Sequence, residues 1–114
     1  MHEKAVVSEI IDITLQAKEE YQLSNISSIT IKIGPFSCVN KGQLQYLFQI
    51  AKQDTLLKDA SLLFEDDNYL VECKQCHHQY QPSIDKTPIC NHCGSKDFHV
   101  ISGYDCFVEN IEGN

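Results

Sequence analysis

Two Cys-x-x-Cys pairs give the sequence its clearest chemical signal. The first pair is Cys73 and Cys76, the second is Cys90 and Cys93, and 13 residues separate them. Two thiolates that are two residues apart can bind one metal ion from a single tight turn, and two such turns complete a tetrahedron with sulfur about 2.3 Å from zinc. We expect Gly94, which follows the second pair, to adopt a positive φ angle that turns backbone amides towards the sulfur atoms. The spacing predicts a structural zinc site, because a redox dithiol of the thioredoxin type carries a single pair on a βαβ framework.

Three histidines, His77, His78 and His92, lie beside the predicted zinc ligands. Each imidazole could replace a cysteine at the metal, although an exposed side chain or a hydrogen-bonding neighbour of the site is the simpler interpretation. The sequence leaves both alternatives open. The two remaining cysteines, Cys38 and Cys106, stand apart, and we expect them to pack as small buried hydrophobic side chains.

The first three residues, Met1, His2 and Glu3, hold a second set of metal-binding atoms. A free α-amine, the amide nitrogen of His2, an imidazole nitrogen and the next backbone amide lie within a few bonds of one another. Tetragonal sets of nitrogen ligands suit Ni(II) and Cu(II). Because many chains carry a histidine near their start, this pattern is weak evidence when it stands alone.

Composition limits the classes of protein that could carry these sites. A chain of 114 residues fits one ordinary domain or two very small ones. A net charge of −7 disfavours nonspecific binding to a nucleic-acid backbone. Charged residues interrupt residues 1–20, so no signal-peptide core is visible, and no apolar run approaches the roughly 20 residues that cross a bilayer. We therefore expect a cytoplasmic protein without a membrane partner, in a reducing compartment where such cysteine pairs bind metals.

The elements that must position these residues follow from hydrophobic periodicity. Apolar residues at spacings of three and four predict a helix over 3–21 and a second helix that starts near Gly42 and includes 44–51. Period-two alternation predicts strands over 28–33, 61–65 and 69–72. Large apolar residues are scarce over 73–95, so this segment needs the metal as a staple. Residues 97–111 alternate again around a Ser102-Gly103 turn, which predicts a hairpin that returns the chain to the first domain.

In combination these features resemble the HypA family, nickel metallochaperones of [NiFe]-hydrogenase maturation that in some organisms also serve urease. The resemblance extends over nearly the whole chain. It is carried by the Met1-His2-Glu3 start, Ile33-Gly34-Pro35-Phe36-Ser37 after a strand, a helix with Leu44, Phe48 and Ala51, the two cysteine pairs with Gly94-Ser95, and Ile101-Ser102-Gly103. Zinc ribbons alone are widespread, but this start followed by this ribbon is specific.

The resemblance implies an α/β fold. It consists of a nickel-binding domain, with two helices on a three-stranded sheet whose last strand comes from the C-terminal segment, and an inserted small zinc-ribbon-like domain. The implied bounds are 1–68 plus 107–114 for the nickel-binding domain and 69–106 for the zinc domain. No catalytic site is implied.

The resemblance also implies the metal ligands. His2 matches the family's nickel ligand, the amine of Met1 and the amides of His2 and Glu3 would add nitrogens, and Glu3 matches the acidic residue beside the site. The implied zinc ligands are the four paired cysteines, Cys73, Cys76, Cys90 and Cys93. Asn40 stands where many members carry an aspartate, and a neutral amide is a poorer ligand for nickel.

Further implications concern partners. A HypB-type GTPase, the hydrogenase large subunit and urease maturation proteins are the implied contacts, and the chain would be a monomer or a weak homodimer.

The spacing of the residues leaves one more nickel ligand open: Cys38, two residues before Asn40, could add a thiolate to the nickel site. These assignments predict that Ni(II) is a transported cargo and Zn(II) a structural ion.

Two other functions compete with this interpretation. A zinc-ribbon module could bind nucleic acid or protein, and its segment carries Lys74, Lys86 and Lys96 against Asp85, but it contains no arginine and little interleaved aromatic surface. A metal-dependent enzyme would need an open zinc position, which four thiolates do not leave, and no His-Glu-x-x-His motif occurs. We therefore expect no enzyme and no nucleic-acid partner.

Overall fold

The computed structural model describes residues 2–114, with two helices and six strands. In chain order the elements are α1 (Glu3–Glu20), β1 (Ile26–Ile33), α2 (Lys41–Ala51), β2 (Ser61–Asp66), β3 (Leu70–Cys73), β4 (Gln79–Tyr80), β5 (Phe98–Ser102) and β6 (Cys106–Gly113). None of the helices in the described part of the chain is long and apolar enough to span a bilayer. The α/β fold class expected from the family resemblance is confirmed.

The larger sheet has the strand order β2-β1-β6, with β1 parallel to β2 and antiparallel to β6. Parallel neighbours need a crossover, and α2 provides the one between β1 and β2. The alternation of β1 places Ile29, Ile31 and Ile33 in the core, where Ile29 and Ile31 are fully buried. The helices add to the same core with residues spaced at helical period: Val6, Val7 and Ile10 from α1, and Leu44 and Phe48 from α2.

The smaller sheet has the order β4-β3-β5, with β3 antiparallel to both neighbours. Its fully buried residue Val71 and the nearly buried Tyr69 supply little apolar packing for so long a segment. The strand β3 ends at Cys73, so the sheet leads directly into the first cysteine pair. The two-residue strand β4 was not expected from the sequence.

The predicted hairpin over 97–111 is wrong, because β5 and β6 belong to different sheets. Gly103, at a φ of 121°, lies against Tyr69 and leaves no room for a β-carbon. Its carbonyl accepts a hydrogen bond from the Phe36 amide at 2.9 Å, and the Asp105 carbonyl accepts one from the Gly34 amide at 2.8 Å. These bonds attach the linker to the end of β1, so the chain continues onto the larger sheet instead of folding back. The expected return to the first sheet is confirmed, since β6 pairs with β1.

Candidate metal centres

The four paired cysteines come together at the end of β3. Their sulfur atoms all lie within 4.8 Å of one another. The Sγ atoms of Cys73 and Cys93 are 3.5 Å apart, and those of Cys76 and Cys90 are 3.6 Å apart. A tetrahedral zinc ion with sulfur at about 2.3 Å needs about 3.8 Å between sulfur atoms. The sulfur atoms therefore have nearly the spacing that a four-thiolate zinc site requires.

Each cysteine pair lies on its own backbone turn, and the two turns have the same hydrogen-bonding pattern. The amide of His77 donates to the Cys73 carbonyl at 3.0 Å, and the amide of Gly94 donates to the Cys90 carbonyl at 2.8 Å. Both donors have a left-handed backbone, with φ of 63° for His77 and 80° for Gly94. The positive φ expected at Gly94 is confirmed. At the matching position of the first turn a histidine accepts a conformation that costs an L-residue roughly 1 kcal/mol or more.

Electrostatics at this centre favour a bound cation. The backbone amide of Cys76, which donates to sulfur, lowers the pKa of Cys73 to about 6. The amide of His78 favours the thiolate of Cys76, but burial and the sulfur atoms of Cys90 and Cys93 outweigh it and raise the pKa of Cys76 to about 12. Four thiolates at this spacing repel one another, so all four can be ionised together only around a positive ion.

The structure places the neighbouring histidines around this centre in different ways. The rings of His78 and His92 stack with centroids 5.0 Å apart, and His78 also stacks on Tyr80. His77 instead lies beside the carboxylate of Glu72, which His99 approaches from β5. Glu72 and His99 were not predicted as neighbours, because their proximity depends on the β3–β5 register and no local sequence motif indicates it.

The start of α1 presents His2 to solvent. His2 is the N-cap residue of the helix, and its imidazole makes no capping hydrogen bond. Its carbonyl accepts the first helical bond, from the Val6 amide at 3.1 Å. Glu3 is the first helical residue and is half-buried. The amine of Met1, which the resemblance adds to this site, lies outside the described residues.

Asn40 occupies the equivalent position at the start of α2. Its Oδ1 accepts a hydrogen bond from the Gln43 amide at 2.8 Å, which makes it the N-cap of that helix. This role explains why α2 begins at Lys41, before the Gly42 start expected from periodicity. An Asn-x-x-Gln pattern ahead of an apolar stripe could have revealed the cap in the sequence.

The two unpaired cysteines differ from each other. Cys38 is exposed, at a left-handed φ of 60° in the loop after β1, so the expectation of burial was wrong for this residue. The loop turns its side chain away from the core, and Sγ lies 3.8 Å from the Phe36 carbonyl oxygen. Cys106 is half-buried against the larger core, and burial raises the pKa of its thiol.

Comparison with known proteins identifies the family. A sequence profile described as HypA, "Hydrogenase/urease nickel incorporation, metallochaperone, hypA", matches residues 1–113. The hydrogenase maturation factor HypA of Dehalococcoides mccartyi strain BAV1 is 30% identical over 112 residues, which cover 98% of this chain and 93% of that protein. The hydrogenase/urease maturation factor HypA of Helicobacter pylori is 28% identical over 113 residues, which cover 98% of this chain and 97% of that protein.

A solved structure agrees with these sequence relatives. The solution structure of the Ni metallochaperone HypA from Helicobacter pylori matches with a TM-score of 0.72 at 28% identity, over 99% of this chain and 97% of that one. A second solution structure, of HypA protein, matches with a TM-score of 0.73. The chain therefore belongs to the HypA family of nickel metallochaperones for hydrogenase and urease maturation.

Proposed function

We propose that this chain binds Ni(II) through His2 and delivers it for maturation of [NiFe]-hydrogenase, with urease as a second target. The observation that carries the proposal is the exposed His2 imidazole at the start of α1, in a chain that belongs to a nickel metallochaperone family. The family match supports the cargo, and the exposed imidazole supplies a ligand that no capping bond occupies.

The backbone around His2 suits a nitrogen-rich site. The first four N–H groups of a helix have no intrahelical acceptor, so the amides of His2 and Glu3 can serve nickel together with the amine of Met1. The helix N-terminus carries a partial positive charge of about half a unit, which opposes a cation. Anionic groups, the Glu3 carboxylate and ionised amides, must therefore compensate. With few committed side-chain ligands, such a site can release its metal, as delivery requires. Because nitrogen ligands bind copper more tightly than nickel, selectivity must come from geometry, metal availability and partner contacts.

Asn40 is the remaining candidate for the nickel site. One lone pair of its Oδ1 already accepts the Gln43 amide, which leaves a second lone pair for a metal or a hydrogen bond. As a neutral oxygen it would contribute weakly. An Asn40→Asp variant would keep the cap, add a negative charge and bind nickel more tightly.

We further propose that Cys73, Cys76, Cys90 and Cys93 hold a structural Zn(II). The near-tetrahedral spacing of the sulfur atoms supports this assignment. Four protein ligands leave no open position on zinc for a bound water, which favours a scaffold over an enzyme.

Domain bounds and partners complete the proposal. Residues 1–68 plus 107–114 would form the nickel-binding domain, and residues 69–106 the zinc domain. The second boundary falls at the start of β6, whose first residue, Cys106, pairs with Ile33 of β1. A HypB-type GTPase, the hydrogenase large subunit and urease maturation proteins would be the contacts, in the cytoplasm, with the chain as a monomer or weak homodimer. Neither nucleic acid nor membrane would be a partner, in keeping with the charge of −7.

Calorimetric titration of Ni(II) into untagged, zinc-loaded protein tests the nickel site. We expect one tightly bound nickel per chain in the wild type, and loss of that tight binding in His2→Ala and in a variant with one residue added before Met1. Lys4→Ala is the matched control, because it changes an exposed residue of the same helical turn and spares every proposed ligand. Nickel retained with the wild-type affinity in both ligand variants would refute the proposal.

A further inference from the structure

The carboxylate of Glu72 lies between two exposed imidazoles. Its Oε2 atom is 3.5 Å from Nε2 of His99 and 3.8 Å from Nδ1 of His77. The histidine side chains are 52% and 77% exposed respectively, whereas the Glu72 side chain is only 25% exposed. The three side chains therefore form a cluster with a partly buried acidic centre and a solvent-facing opening.

The fold assembles this cluster from three separate segments. Glu72 in β3 pairs directly with His99 in β5, so the two side chains lie on the same face of the smaller sheet. Gln79 is the partner of Glu72 on the β4 side, and its Nε2 lies 3.5 Å from Glu72 Oε1. His77 reaches the carboxylate from the left-handed position of the first cysteine turn. The cluster thus rests on strand pairing and on a turn that the four-cysteine centre holds in place.

Two imidazoles and one carboxylate form a ligand set for divalent transition metals. Zinc and its neighbours accept imidazole nitrogen and carboxylate oxygen, and a set of three protein ligands leaves positions open to water or a further ligand. Ligand atoms at about 2.1 Å from a shared ion and at right angles lie about 3.0 Å apart. The carboxylate oxygen lies 3.5 and 3.8 Å from the two imidazole nitrogens, within an ångström of that value. Those two nitrogens lie more than 4.8 Å from each other, so the exposed His77 side chain must rotate towards His99 to complete the site.

We propose that Glu72, His77 and His99 form a second, exchangeable site for a divalent transition-metal ion. It differs from the four-cysteine centre, which is closed by four thiols of which two are buried. It also lies at the smaller sheet, whereas His2 is the N-cap of α1, which packs in the core of the larger sheet. An open site with few committed ligands exchanges metal readily, so this site would hold an ion transiently on the surface of the zinc-bearing part of the chain.

Nickel titration of the zinc-loaded His2→Ala protein, followed by NMR, tests this site independently of the N-terminal one. We expect paramagnetic Ni(II) to broaden the amide signals of Glu72, His77 and His99 before those of other residues. The variant His77→Gly removes one ligand and suits the left-handed backbone, as Gly94 does in the matching turn, so it should fold and keep zinc. It should weaken nickel binding at least about tenfold.

Two further variants complete the experiment. Glu72→Gln preserves the shape of the side chain and should also weaken binding, whereas Glu65→Gln changes an exposed carboxylate on β2 and should leave it unchanged. Zinc content and signal dispersion report whether each variant remains folded. Broadening centred elsewhere, or equal nickel affinity in His77→Gly, Glu72→Gln and the His2→Ala parent, would overturn the proposal.

Discussion

Removal of the proposed zinc should unfold the smaller sheet and leave the larger one intact. The perturbation is chelation of zinc under reducing conditions, or substitution of the exposed ligand by Cys93→Ser. The larger core keeps its own buried residues from both helices and β1, none of which depends on the cysteines. We expect strands β3, β4 and β5 to lose their structure together, because all of them pair through β3.

The magnitude follows from the packing of the two parts. In the smaller sheet, Val71 and Tyr69 are the large side chains buried among residues 69–102, and each contributes about 1.5–3 kcal/mol by burial. Structural zinc in small domains contributes about 10–16 kcal/mol of binding free energy coupled to folding. The zinc contribution is about two to five times the burial contribution of these two side chains, so folding of this segment depends on the metal.

The assay combines two observations of the zinc-free protein. Far-ultraviolet circular dichroism should keep the helical signal of α1 and α2, which span 18 and 11 residues. Amide NMR signals from residues 70–102 should lose their dispersion, while those of β1, β2 and β6 keep theirs. Cys38→Ser is the matched control and should retain zinc and every signal. A zinc-free protein whose β3–β5 signals stay dispersed would refute the reasoning.

Three predictions concern the stability of the larger sheet and its helices, and each can be measured by urea denaturation. Gly34→Ala should lower the free energy of unfolding by more than about 2 kcal/mol, because its β-carbon would overlap the Gly103 backbone. Gly42→Ala is the control and should leave the free energy of unfolding unchanged or raise it. Equal effects of the two substitutions would contradict this account. Asn40→Ala should lower the free energy of unfolding by about 0.5–2 kcal/mol, because α2 loses its N-cap, whereas Asn40→Asp should keep the cap and the stability. A large loss of stability in both variants would rule out capping as the cause. Phe48→Ala should lower the free energy of unfolding by about 3–5 kcal/mol, because the ring is fully buried, and Phe48→Leu should lower it by less than Phe48→Ala does. A loss below about 1 kcal/mol in Phe48→Ala would contradict the described core.

Local patterns were sufficient for most elements of the fold. The spacing of apolar residues placed α1 within one residue of its observed end, since a single buried stripe defines it. Alternation in Ile29, Ile31 and Ile33 found the core strand because one face of β1 packs against the helices. The cysteine spacing found the four-sulfur cluster for a similar reason, because metal geometry dictates the sequence separation within each pair.

Features that depend on contacts between distant segments were not predictable in this way. The Ser102-Gly103 turn reads as a hairpin, but hydrogen bonds to residues 34–36 decide that β5 and β6 join different sheets. The Glu72–His99 pair was not predictable for the same reason, because the two residues are 27 positions apart in the sequence and only the register of β3 and β5 brings them together. Exposure of Cys38 depends on a left-handed loop residue, and nothing in its immediate sequence demands that conformation.

The ligand atoms around nickel provide the most direct test of the central claim, that the cargo binds at the N-terminus and zinc at the four cysteines. Nickel K-edge X-ray absorption on untagged protein that holds one zinc and one nickel per chain would identify them. We predict nitrogen and oxygen neighbours with imidazole scattering and no sulfur. We also predict loss of tightly bound nickel, and with it most of the imidazole signal, in a variant that combines His2→Ala with His77→Gly. Sulfur scattering that persists in a Cys38→Ser variant would contradict the account, because it would place the cargo among Cys73, Cys76, Cys90 and Cys93.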